Sequence, residues 1–227
     1  MIGTINAPTP RTDSRPDADV LLAESNHRIS NNLALIAGIV RMSANDAARR
    51  DRVLDSEQLQ RALIEVATRI ETVGMLHRLL SDVPRFSAVS LGAYVEEICN
   101  GLITAFGSND RVDLSGVDTV SCVVPAEHAL PVALIVHELV TNAIKYAHPA
   151  GVPGRIVVSC FREKEGTLHL AVADDGVGLP EDLDPKRHGD RGFKVVRALA
   201  AQLGAALSFE SSELGLCCRL RIPVGTA

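Results

Sequence analysis

Apolar residues recur every three or four positions over two stretches in the first third of the chain, and the pattern stops at a proline. No proline occurs from Ala18 to Ala44, where Leu22, Ile29, Leu33, Ile36 and Val40 fall on one helical stripe with Leu35, Ile39 and Met42 beside it. So wide a face needs more than one partner. A polar link over 46–56 leads to a second helix in which Leu59, Leu63, Val66, Ile70, Val73, His77 and Leu80 alternate at steps of three and four, the spacing of a bundle seam. Two antiparallel helices bury little surface alone, whereas two such hairpins together make a four-helix bundle. The pattern therefore predicts a homodimer through residues 18–84, with Pro84 closing the second helix.

Beyond Pro84 helices and strands alternate. Leu91 to Phe106 reads as a helix, Val112 to Leu114 and Ser121 to Val124 as short strands, and Ala126 to Ala147 as a long helix. Arg155 to Arg162 and Leu168 to Ala173 form a hairpin around a Lys-Glu-Gly turn. A loop rich in Gly, Pro, Asp and Lys spans Asp174 to Arg191, a helix runs from Gly192 to Leu203, and strands follow near Ala206 to Glu210 and Cys217 to Ile222. The fold class expected is α+β: a tail over 1–17, a two-helix hairpin over 18–84, and an α/β sandwich over 85–227 with helices on one face of a mixed sheet.

Composition narrows the function. A net charge of -5 argues against a general nucleic-acid binder, which needs an excess of Lys and Arg to neutralise phosphates. The longest apolar stretch, Leu33 to Val40, falls far short of the roughly 20 residues that cross a bilayer. Residues 1–19 hold three prolines and no apolar signal region, so a cytoplasmic protein without membrane contact is expected. Cys99, Cys122, Cys160, Cys217 and Cys218 lack metal-ligand or redox spacing and read as reduced thiols.

Three segments of the second half carry candidate chemistry. In His137-Glu138-Leu139-Val140-Thr141-Asn142-Ala143-Ile144-Lys145, steps of four and three place Glu138, Asn142 and Lys145 on one helical face. A carboxylate there can take a proton, a carboxamide oxygen is a hard ligand for Mg²⁺, and an ammonium can neutralise phosphate. Next, Asp174-Asp175-Gly176-Val177-Gly178 follows a strand. Its glycines let the backbone approach a flat or phosphorylated ligand, and Asp174 can accept a hydrogen bond from an exocyclic amine. In the third, Gly189-Asp190-Arg191-Gly192-Phe193-Lys194 opens a helix whose free N–H groups favour phosphate. Each segment alone is also compatible with a solvated helix face or an acidic turn.

In this order and spacing they resemble the N box and the two glycine boxes of the GHKL ATPase superfamily, over roughly residues 87–224. The resemblance implies ATP as ligand, Mg²⁺ held by Asn142, adenine read by Asp174, proton transfer assisted by Glu138, and a lid between Gly178 and Gly192. Lys145, Gly176, Gly178, Gly192 and Lys194 complete the expected nucleotide set. In the first half, Glu24-Ser25-Asn26-His27-Arg28-Ile29-Ser30-Asn31-Asn32-Leu33 resembles the phosphoacceptor motif E-x-x-H-R-x-K-N-x-L of the HWE-like sensor histidine kinases. Val73-Gly74-Met75-Leu76-His77-Arg78-Leu79-Leu80 resembles their V-x-x-L-H-x-x-L ending. The resemblance makes His27 the nucleophile; Glu24, one turn away, can stabilise charge on the imidazole, and Arg28 can steady the transferred phosphoryl group. Ser30 stands where these kinases carry Lys, and Asp190-Arg191-Gly192-Phe193 replaces S-L-G-L.

The expected activity is ATP-dependent phosphorylation of His27, followed by transfer to an aspartate of a response-regulator receiver domain. A histidine phosphotransferase that relays phosphate between receivers without ATP is the alternative. It has no need of the nucleotide residues Asn142, Asp174, Gly176, Gly178 and Gly192. An anti-sigma-type protein-binding module is a third reading and predicts neither an acceptor histidine nor a hairpin.

Overall fold

The structure, a computed structural model, describes residues 34, 37, 38, 40, 41, 55–81, 83, 84, 87–108, 111–118, 122–148, 152–163, 166–180 and 191–225. Five positions of the first expected helix, Ala34, Ala37, Gly38, Val40 and Arg41, are helical. Glu24, His27 and Arg28, together with residues 181–190 of the lid expected between Gly178 and Gly192, lie outside the described residues.

Helix α1 (Ser56–Leu80) begins where Asp55 accepts a hydrogen bond from the Gln58 N–H at 2.8 Å, an N-cap that satisfies a free donor of the first turn. Its buried side chains are Glu65, Thr68, Arg69, Thr72, Val73 and Leu76, a stripe at helical spacing that is polar over its first four members and apolar over its last two. The expected seam lies on another face: Leu59, Leu63 and Ile70 are exposed, and only Val73 of that series is buried. The division expected at Pro84 is likewise not where packing changes. Val73 and Leu76 belong to the same buried apolar cluster as the strands of the second half.

Strand β1 (Ala88–Ser90), three residues without a legible period, pairs antiparallel with β3 (Val123–Pro125). Between them come α2 (Gly92–Ala105) and β2 (Val112–Asp118), and α3 (Ala126–Tyr146) follows. The main sheet continues with β4 (Gly154–Arg162), β5 (Thr167–Asp174), β6 (Ala206–Ser212) and β7 (Gly215–Pro223), with α4 (Arg191–Gln202) between β5 and β6. Its order is β2-β4-β5-β7-β6, with β2 parallel to β4 and the other pairs antiparallel. This is the mixed sheet the sequence predicts.

Alternation along β4, β5 and β7 sends Ile156, Val158, Leu168, Leu170, Val172, Leu220 and Ile222 into the core beneath α3 and α4, while their neighbours point outward. Helix α3 is buried along most of its length because α1, α2, α4 and the sheet surround it. One expectation about cysteine is overturned. Cys122 and Cys160 form a disulfide, with Cα atoms 5.1 Å apart. The fold lays the residue before β3 against the middle of β4, a tertiary approach that local spacing cannot reveal. Cys99, Cys217 and Cys218 are free thiols, as expected.

Candidate functional site

The C-terminal end of α3, the turn after β5, the start of β7 and the first turn of α4 enclose a cleft. It is lined by Leu139, Asn142, Tyr146, Asp174, Gly178, Leu179, Phe193, Leu216 and Cys218. Apolar walls with a carboxylate and a carboxamide suit a flat, partly polar ring. Backbone–backbone closeness builds the site. Gly176 lies against the backbone of Ala147, and Gly178, with φ +70°, against that of Ser212, so neither position has room for a Cβ. The Val177 N–H donates to the Ala147 carbonyl at 2.9 Å, tying the turn to the end of α3.

Asp174 is held by one carboxylate oxygen, which accepts from the Gly176 N–H at 3.0 Å and the Leu216 N–H at 3.3 Å. Burial raises its pKa, partly offset by those two donors. Next to it, the N–H of Arg155 holds Asp175 below the usual carboxylate range, and His148 Nε2 bonds the same oxygen at 2.8 Å. His148 thereby fastens the segment after α3 to the start of the loop.

Asn142 points to the first turn of α4. A Cβ at Gly192 would lie 2.7 Å from its side-chain nitrogen and oxygen, and its Nδ2 is buried with no hydrogen-bond partner among the described residues. An orphaned buried amide beside an α-helical N-terminus is a place where an anionic ligand with a bound cation fits. The donor set and the glycine cradle therefore suit a nucleotide. The cleft holds about 50 Å³, against roughly 300 Å³ or more for an ordinary ligand pocket.

The structure separates the trio expected to meet one ligand. Glu138 and Lys145 are seven residues apart, about 20° around the helix, while Asn142 is displaced by about 40–60° from either, at 100° per residue. That offset turns Asn142 to the cleft and the other two to α1. Glu138, 1 % exposed, receives Arg69 Nε at 2.5 Å and Nη2 at 2.7 Å. Lys145 donates to Glu65 at 2.6 Å, and fully buried His137 places Nε2 3.1 Å from the Thr68 hydroxyl. Thr68 in turn donates to the Ile64 carbonyl at 3.0 Å. Neither Glu138 nor Lys145 lines the cleft. Lys194, also expected at the nucleotide, is exposed on α4 and does not line it either. Glu65, Thr68 and Arg69 were not legible as site residues, since an apolar periodicity search passes over a polar stripe.

Burial by itself raises the Glu138 pKa, but the polar edge of His137 and the Arg69 guanidinium outweigh it and lower it from 4.5 to about 2. A carboxyl depressed on folding contributes stability that is full above its unfolded pKa and is lost as pH falls through the folded one. An acid titration followed by circular dichroism should show wild-type stability falling between about pH 4.5 and 2. Glu138→Gln should be less stable at neutral pH and flatter across that window; an unchanged slope would remove Glu138 from the acid response.

Comparison with known proteins gives a consistent picture. Residues 24–106 match the histidine kinase family HisKA_2, and residues 127–226 match the family described as histidine kinase-, DNA gyrase B-, and HSP90-like ATPase. Blue-light-activated histidine kinase 2 of Erythrobacter litoralis is 29% identical over 216 residues, covering 93% of this chain and 59% of its own. Sensor histidine kinase PdtaS of Mycobacterium tuberculosis is 29% identical over 91% of this chain and 40% of its own. The chain thus spans about half the length of these relatives. Among solved structures, the histidine kinase domain of the Erythrobacter litoralis EL346 blue-light activated histidine kinase superposes with a TM-score of 0.68 at 29% identity, covering 91% of this chain and 92% of that one. No described helix is long and apolar enough to cross a membrane.

Proposed function

We propose that this chain, both halves of which match histidine kinase family models, is an HWE-like sensor histidine kinase that binds ATP in the cleft beside Asn142, phosphorylates its own His27, and passes the phosphoryl group to an aspartate of a response-regulator receiver domain. The observation that carries this reading is the juxtaposition of Asn142, its amide nitrogen unpartnered among the described residues, with the helix terminus at Gly192 and the glycine-lined turn at Asp174. Asp174 orients an adenine amine while Leu139, Tyr146, Phe193 and Leu216 exclude water from the ring. Asn142 would hold Mg²⁺ through its side-chain oxygen, and the bound cation would neutralise phosphate charge.

On the hairpin, a neutral His27 nitrogen attacks the terminal phosphorus. The new N–P bond forms as the P–O bond to the diphosphate leaving group breaks, Glu24 balances the positive charge that develops on the ring, and Arg28 steadies the moving phosphoryl group. The pairing with a second copy rests on the exposed Leu59, Leu63 and Ile70 of α1, an apolar row that a bundle partner would cover.

Incubation of the full chain with Mg²⁺ and γ-labelled ATP tests the reading. Acid-labile, base-stable label should appear and be lost in both His27→Ala and Asn142→Ala, with nucleotide affinity reduced only in the second. Labelling of His27 from a phosphorylated receiver, without any nucleotide binding, would establish the relay instead.

A further inference from the structure

Two residues that the sequence assigns to the ATP site, Glu138 and Lys145, are both taken up by oppositely charged residues of α1, one turn apart. Arg69 occupies both oxygens of Glu138, and Glu65 occupies the Lys145 ammonium. Between these pairs Thr68 meets His137. A carboxylate with both oxygens engaged and almost no exposure cannot accept a proton from a substrate.

The seam is polar where the rest of this face is not. One turn further on, Val73 and Leu76 are buried in the main apolar cluster, which fixes that end of α1 to the second half. Opening the apolar end would expose core, and nothing repays that. Parting the polar stretch returns two charged pairs to water, and buried ion pairs hold little net advantage over hydrated ones. The closed seam is also imperfect: Arg69 Nη1 is buried without a hydrogen-bond partner among the described residues. Two arrangements close in free energy, joined by a pivot, are what a switch requires.

We propose that Glu65 and Arg69 form an autoinhibitory latch, in which docked α1 captures Lys145 and Glu138, and that pivoting of α1 about Val73 and Leu76 frees both for phosphorylation of His27. This rests on the kinase reading above and adds its regulation.

The test measures initial rates of label incorporation from Mg²⁺ and γ-labelled ATP in the full chain, with nucleotide affinity measured separately by calorimetry. Arg69→Gln and Glu65→Gln should each raise the rate by about fivefold or more, the lower end of ordinary coupling between sites. Arg61→Gln, which disturbs only an exposed pair with Glu57, should not change it. Equal or slower rates in both latch variants, with nucleotide binding intact and the wild type active, overturn the latch and leave the kinase reading standing. If Arg69→Gln fails to fold because Glu138 is left buried and unpaired, Glu65→Gln decides, since its partner Lys145 is a quarter exposed. Folded wild type and variants that all remain unlabelled overturn the kinase reading and the latch with it, whereas labelling confined to the latch variants supports both.

Discussion

Gly215→Ala is expected to abolish nucleotide binding and to lower stability by about 2–3 kcal/mol, the combined effect of a strained backbone and a steric clash. Gly215 opens β7 at φ +124°, a conformation side chains rarely adopt, and a Cβ there would overlap the carbonyl of Asp174. The next residue, Leu216, donates its N–H to the Asp174 carboxylate and lines the cleft, so relief of the clash displaces the adenine-facing group itself. Gly176→Ala should behave similarly, since its Cβ would meet the backbone of Ala147 at the end of α3. Gly101→Ala is the contrast. It lies within α2 with nothing within 4 Å of the new Cβ, and there alanine should stabilise by about 0.5–1 kcal/mol without touching affinity. Calorimetry with a non-hydrolysable ATP analogue and denaturant midpoints read the two quantities. Tight binding by Gly215→Ala would show that Asp174 does not set the pocket.

How far the site was legible follows from the range of each signal. Glycine is demanded at 176 and 178, where the backbone meets that of Ala147 and Ser212, and at 192, where the Asn142 side chain lies against the helix, so the motif and the packing coincide. The grouping of Glu138, Asn142 and Lys145 is not assembled in this structure, for a reason visible only with neighbours in place. An offset of about 40–60° is small enough to count as one face on an isolated helix, yet wide enough to separate a cleft from a helix packed alongside. Hydrophobic periodicity found α1 but chose the exposed Leu59–Leu63–Ile70 face, because the face turned to α3 is filled by Glu65, Thr68, Arg69 and Thr72. Polar residues buried in pairs carry no hydrophobic signal, and each partner lies about 70–80 residues away. The Cys122–Cys160 bond and the three-residue strand β1 were hidden likewise, the first by its tertiary origin and the second by its length.

Leu76→Ala should cost about 2–5 kcal/mol, the range for deleting a fully buried leucine side chain from a packed core, and the loss should not depend on protein concentration. Leu76 is 0 % exposed within a cluster that also contains Leu134, Leu170 and Leu220, so the cavity opens inside one subunit. Leu63, on the opposite kind of surface, is 61 % exposed. Within a single copy its truncation should change stability by under about 0.5 kcal/mol, as for ordinary surface substitutions. If two hairpins form a bundle, Leu63 becomes buried in the assembled state, and Leu63→Ala should then lower the melting temperature most at high protein concentration, where dimer predominates. Thermal melts of both variants over a wide concentration range therefore separate the two loyalties of α1: one end built into the ATPase core, the other offered to a second copy. A Leu76→Ala loss that varied with concentration would place that end in the subunit interface, and the pivot proposed for the latch would go with it.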